Sequence, residues 1–98
     1  MPIGGAKYGF IAHNVNLSPD VHGVYALYDG DNLIYYGRAT GDGVTIRSRL
    51  QSHLNGGEHP ATQKATHYRR EQCSQPAVRE LELLQEFEST HRRLPRCN

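Results

Sequence analysis

Two short runs rich in β-branched and aromatic residues stand back to back, residues 21–28 (VHGVYALY) and 33–37 (LIYYG), separated only by Asp29-Gly30-Asp31-Asn32. Such runs fit a pleated, half-buried surface, and a separator of Asp, Gly and Asn is turn chemistry. The pair predicts a β-hairpin, which is a strong constraint because the loop length decides which side chains share a face. With Asp29, Gly30 and Asp31 as a three-residue loop and Gly30 at positive φ, Tyr28 pairs with Asn32. Tyr25 then lies opposite Tyr35, on the same face. A loop of two or four residues would put the two phenols on opposite faces. The three-residue loop is the expectation.

The remaining segments attach to this hairpin. Residues 38–43 (RATGDG) read as a flexible loop. Residues 44–54 carry Ile46, Leu50 and Leu54 at a spacing of four, one apolar stripe of a helix, and Gly56-Gly57 ends it. Residues 58–65 are irregular or hold a short helix begun near Pro60. Residues 66–71 (THYRRE) form a candidate third strand. Ser74 suits an N-cap with Pro76 in the first turn of a long helix that runs to His91 or Arg92, where Leu94-Pro95 stops it. The order β-β-α-α-β-α predicts an α+β fold, a small three-stranded, mostly antiparallel sheet flanked by helices. Residues 1–20 are rich in Gly, Asn and Pro without a sustained period. They are expected to form an N-terminal arm or loop packed on a domain of residues 21–98, with a short extended piece around residues 8–12.

Ninety-eight residues leave room for one hydrophobic core. No apolar run approaches a membrane span, and residues 1–8 lack the apolar stretch of a signal peptide, so the cytoplasm is the expected compartment and no membrane contact is expected. Cys73 and Cys97 have no CxxC spacing and no further cysteines beside them, which favours free thiols over a zinc site or a disulfide framework. The net charge of +1 says little, but its distribution says more. Between residues 38 and 70 stand Arg38, Arg47, Arg49, Lys64, Arg69 and Arg70 against Asp42 and Glu58, a local charge of +4. Such a stretch suits a phosphate backbone, and it equally suits a solvated surface.

Arg49 and His53 stand one helical turn apart, so their side chains leave the same face. Hydrolysis of a phosphodiester needs charge neutralisation at the phosphoryl oxygens and an activated water. A guanidinium clamps a phosphate with a bidentate fork, and an imidazole can take a proton from water near neutral pH. Arg47 competes with Arg49 for this role, but only Arg49 stands four before His53. The other histidines, His13, His22, His59, His67 and His91, have no metal-ligand spacing.

Gly23-Val24-Tyr25 and Tyr35-Tyr36-Gly37, followed by Arg49-Leu50-Gln51-Ser52-His53 and by a closing Pro95-Arg96-Cys97-Asn98, resemble the GIY-YIG nucleases. The hallmarks of that family are GIY on one strand, YIG on the next, a helix with an arginine and often a histidine or tyrosine one turn on, and a glutamate on a later helix. The resemblance spans residues 21–98. It implies a metal-dependent endonuclease that hydrolyses nucleic acid, with DNA as the substrate. Tyr25 and Tyr35 would orient the attacking water or share its proton, although an unperturbed phenol, with a pKa of about 10, is a poor base. Arg38, Arg47, Lys64, Arg69 and Arg70 would contact the nucleic-acid backbone. No recognition module is visible, so specificity would come from nucleic-acid structure, a further domain or a partner.

Two arguments disagree about the glutamate. Counting back from Asn98 by the family's short spacing reaches Glu86. Helical geometry instead favours Glu80, which has Pro76 and Ala77 one turn before it, Leu83 and Leu84 one turn after and Phe87 two turns on. A carboxylate on an apolar stripe is costly unless it has a partner, and a divalent cation is such a partner. Glu80 is therefore assigned as the metal ligand, and a single oxygen ligand with waters suits Mg²⁺ or Mn²⁺ rather than zinc. Two other readings remain open: a catalytically silent nucleic-acid-binding module on the same fold, and a small structural or protein-interaction domain.

Overall fold

The chain folds in the order β1 (Tyr8–Gly9), α1 (Ala12–Asn16), β2 (Gly23–Asp29), β3 (Asn32–Ala39), α2 (Ile46–Leu54), α3 (Pro60–Gln63), β4 (His67–Gln72) and α4 (Pro76–His91) in a computed structural model that describes residues 1–58 and 60–98. His59 lies outside the described residues. The α+β architecture expected from the sequence is present: one antiparallel sheet, in the order β1-β4-β2-β3, with helices on both faces. The extended piece expected near residues 8–12 adds a short fourth strand, in which Tyr8 pairs with Tyr68. Among the described residues no helix is long and apolar enough to cross a membrane. Cys73 and Cys97 are free thiols.

The hairpin corrects the expected register in two places. Asp29 pairs with Asn32, so the loop has two residues, Gly30 and Asp31, with Gly30 at φ 62°. A bulge then follows: Tyr28 pairs with Leu33, but Leu27 pairs with Tyr35, and Ile34 is the extra residue. Tyr25 consequently lies opposite Gly37, not Tyr35. The short loop alone would have sent the phenols to opposite faces. The bulge shifts the alternation by one and returns them to the same face, diagonal to each other.

β2 sits between β3 and β4 and is buried along nearly its whole length. One of its faces carries Tyr25 and Leu27 into a cluster with Phe10, Val15, Ile34, Ile46, Leu50 and Tyr68. The other carries Val24, Ala26 and Tyr28 against Tyr36, Leu83 and, from the N-terminal segment, Ile3. α2 covers the first face and α4 the second. Burying a side chain such as Leu50 or Leu83 contributes about 1.5–3 kcal/mol.

α2 begins at Ile46, two residues later than expected, because Thr45 caps it. Ser48 N donates to Thr45 Oγ1 at 3.2 Å and Thr45 N donates to Ser48 Oγ at 2.9 Å, a reciprocal capping box. Gly56, at φ 78°, follows its C-cap Asn55. In α4 the N-cap is Gln75 rather than Ser74, and Pro76 takes the first helical position, where its missing N–H costs nothing. The strand expected at residues 66–71 runs one residue later, as β4.

Candidate active site

The site is built on close approach between β2 and β3. A Cβ at position 37 would overlap Cζ and Oη of Tyr25 and stand 2.7 Å from its Cε2. Only glycine leaves room for the phenol to cross β3. A Cβ at Gly23 would likewise overlap the Glu71 carbonyl oxygen and stand 2.6 Å from Ile46 Cδ1. The glycine of each tripeptide is thus a packing requirement.

Through that gap Tyr25 reaches α2. Its hydroxyl lies 2.8 Å from His53 Nε2, and both residues are sealed from solvent, with relative exposures of 0% and 1%. His53 points inward because it continues the buried side of α2, after Ile46 and Leu50. Its second nitrogen, Nδ1, lies 2.8 Å from Oγ1 of Thr62, a fully buried residue of α3. The Tyr35 ring stands 5.1 Å from the His53 ring and 6.1 Å from that of Tyr25.

Arg49, also on α2, borders this group and, with Arg38, Thr40 and Val44, lines an open cleft. Its Nη1 donates to Glu58 Oε1 at 2.6 Å. Its Nε is buried without a hydrogen bond among the described residues. A buried donor left unpaired is costly, and a phosphate oxygen would satisfy it. A wider cavity between Asp20, His22, Thr45 and Cys73 contains none of the expected site residues.

Burial pushes the Tyr25 phenol well above its ordinary range; the neighbouring Tyr35 adds to this, and the Arg49 guanidinium opposes it. Tyr35 is raised for the same first reason, with Arg49 again opposing and Glu80 and Glu58 adding. Both phenols therefore hold their protons at neutral pH. Desolvation lowers the pKa of Arg49's guanidinium, but Tyr25 and Glu58 more than offset it, so the pKa is raised.

Glu80 approaches from α4. Its carboxylate lies 3.3 Å from Arg38 Nη1 with its side chain 19% exposed. Desolvation raises its pKa against the opposing charges of Arg38 and Arg49. Glu86 instead accepts from the N-terminal amine of Met1 at 2.5 Å, and its charge acts on Tyr36, which belongs to the other face of the sheet. Among the described residues no three His, Cys, Asp or Glu side chains are grouped to hold a metal ion. The donor set that remains, one half-buried carboxylate beside an open cleft, fits a hard divalent cation that keeps most of its waters.

The basic residues expected to contact a backbone do not form one surface. Arg38 borders the cleft and Lys64 is exposed. Arg47 turns to the N-terminal segment, donating to Ser18 O at 2.8 Å, with Asp20 at 3.9 Å. Arg69 and Arg70 leave opposite faces of β4: Arg69 lies over the Tyr28 ring and Arg70 over the Tyr8 ring. Sequence reasoning missed Glu58 and Thr62. Each stands nine residues beyond its partner, Arg49 and His53 respectively, across a turn, and no periodicity links such pairs. Asn98, flagged only as part of a terminal motif, pins the edge strand β3: it accepts from Tyr36 N and donates to Tyr36 O, both at 2.9 Å.

No protein-family model and no curated protein matches the sequence. Among solved structures, the chain is similar to a point mutant of the GIY-YIG N-terminal endonuclease domain of UvrC from Thermotoga maritima, bound to its catalytic divalent cation. The match has a TM-score of 0.67 and 20% sequence identity, and it covers 88% of this chain and 91% of that one. With its antiparallel sheet, its flanking helices and this nearly full-length superposition, the chain has the GIY-YIG fold.

Proposed function

We propose that the chain is a divalent-metal-dependent phosphodiesterase that cleaves nucleic acid, DNA first, through Tyr25, Tyr35, Arg49, His53 and Glu80. The observation that carries this reading is the convergence on one phenol. Tyr25 Oη meets His53 Nε2 at 2.8 Å, and the charge of Arg49 and the second phenol, Tyr35, act on the same group. The similarity in fold to the UvrC endonuclease domain supports the reading, and the divalent cation bound in that domain supports a metal requirement.

Arg49 receives the scissile phosphate, which takes the place of Glu58 and satisfies the buried Nε. His53 Nε2 is covered by the Tyr25 hydroxyl at 2.8 Å, so a proton taken from the attacking water reaches it through Tyr25. The phenol gives its own proton to Nε2 and accepts the one from water. Arg49 beside that oxygen stabilises its transient negative charge. Glu80 would hold Mg²⁺ or Mn²⁺, and the ion would supply charge neutralisation for the leaving group. Of the basic residues, Arg38, which borders the cleft with its side chain half exposed, and the exposed Lys64 are the better placed for backbone contact.

Plasmid nicking in Mg²⁺ or Mn²⁺ tests this. Arg49→Ala is expected to lower the rate roughly 10²–10³-fold, as loss of a charge-stabilising group does. Equal rates in the two proteins would overturn the assignment. Salt-sensitive DNA binding without cleavage by the wild type would favour the silent binding module instead.

A further inference from the structure

We propose that Thr62 is a positioning residue for the reaction above: its hydroxyl accepts a hydrogen bond from His53 Nδ1 and so keeps Nε2 as the bare acceptor facing Tyr25. The inference rests on the phosphodiesterase reading and adds to it a residue outside the set that meets the phosphate.

A neutral imidazole has one N–H and one bare nitrogen. Both nitrogens of His53 are engaged at 2.8 Å by hydroxyls, each able to donate or accept. Two arrangements are therefore possible. In one, Tyr25 donates to Nε2 and Nδ1 donates to Thr62. In the other, Thr62 donates to Nδ1 and Nε2 donates to Tyr25. The chemistry of the hydroxyls decides between them. A phenol is intrinsically a stronger acid than an aliphatic alcohol, and burial raises both hydroxyls, so Tyr25 remains the better donor. Its oxygen is also the poorer acceptor, because its lone pair is shared with the ring. Arg49 favours negative charge building up on the Tyr25 oxygen, which again makes that oxygen the donor. Only the first arrangement lets Tyr25 pass its proton to Nε2 with no prior change at the ring.

The local fold holds Thr62 for this task. It is fully buried within α3, the four-residue helix Pro60–Gln63. Ala65 N donates to Thr62 O at 3.1 Å, and Gln63 Nε2 donates to Leu54 O at 3.3 Å, fastening α3 to the last turn of α2. The backbone thus fixes the hydroxyl against the ring, and any proton received at Nε2 leaves Nδ1–H still paired.

The test is the protonation of the His53 ring nitrogens, read from long-range ¹H–¹⁵N correlation spectra of labelled protein, together with the nicking rate. Wild type is expected to carry its proton on Nδ1. Thr62→Val, close in shape but without the hydroxyl, is expected to move the proton to Nε2 and to lower nicking about 10–100-fold. Thr62→Ser is expected to restore both. A wild-type ring protonated on Nε2 overturns the proposal, even if the valine variant fails to fold. So does a valine variant that keeps its Nδ1 proton, or one that switches and still cleaves at the wild-type rate. An Nδ1 proton in a wild-type chain that never cleaves DNA supports the hydrogen-bond assignment and overturns the nuclease reading, so the two failures are distinct.

Discussion

Replacing Gly37 by alanine tests the site's construction without assuming any activity. In a strand interior, glycine to alanine ordinarily stabilises by about 0.5–1 kcal/mol, because alanine has less backbone freedom to lose. Here the new methyl overlaps Cζ and Oη of Tyr25, a fully buried ring. Forcing such a group into a packed core costs about 1–3 kcal/mol. If the ring swings away, the Tyr25–His53 hydrogen bond breaks and two buried polar atoms lose a partner, a further cost of about 1–3 kcal/mol. The expected loss is therefore about 2–5 kcal/mol. In a domain of this size each kcal/mol lowers Tm by about 5 °C, so thermal unfolding followed by circular dichroism should shift down by about 10–25 °C. The same substitution in a Tyr25→Leu background removes the overlapping atoms from the comparison. There it should be neutral to within about 0.5 kcal/mol, or stabilising. An equal loss in both backgrounds would refute the claim that Gly37 exists to admit the Tyr25 ring.

Three further substitutions probe other parts of the structure. Glu80 carries a folded-state pKa raised by desolvation, so the native state binds its proton more tightly than the unfolded chain does. Stability from this group is full below the unfolded carboxylate range and falls as pH rises through the folded pKa. Glu80→Gln should flatten that fall and leave Tm at pH 7 unchanged or higher, while abolishing Mn²⁺ binding measured by calorimetry; retained Mn²⁺ binding would move the metal away from Glu80. Glu58→Gln frees Arg49, and because both side chains are more than a quarter exposed the stability change should stay below about 1 kcal/mol. DNA affinity by fluorescence anisotropy should rise severalfold at low salt, and an unchanged affinity would mean that Glu58 does not compete with phosphate. Asn98→Ala removes both hydrogen bonds to Tyr36 and should cost about 1–3 kcal/mol, read as a lower urea midpoint at constant m; no shift would show that the chain end does not hold β3.

Local pattern alone determined a good deal about this protein. The β-branched and aromatic runs flanking Asp29-Gly30-Asp31-Asn32 specify a hairpin, the spacing of Ile46, Leu50 and Leu54 specifies a helix, and Pro76 and Leu94-Pro95 bracket the last one, because each feature acts over a few residues of chain. The motif order also pointed to the GIY-YIG fold. Tertiary structure decided everything that depends on two segments meeting. The loop proved one residue shorter than expected and the bulge at Ile34 compensated, so the shared face of Tyr25 and Tyr35 arises from two departures that cancel. The need for glycine at position 37 is invisible until the Tyr25 ring lies across it. Glu58 on Arg49 and Thr62 on His53 are pairings across the turn after α2, the second made by packing α3 against α2, and the scattering of Arg47, Arg69 and Arg70 over separate faces follows from strand alternation and helix rotation. Net charge along a sequence has no faces; a folded sheet has two.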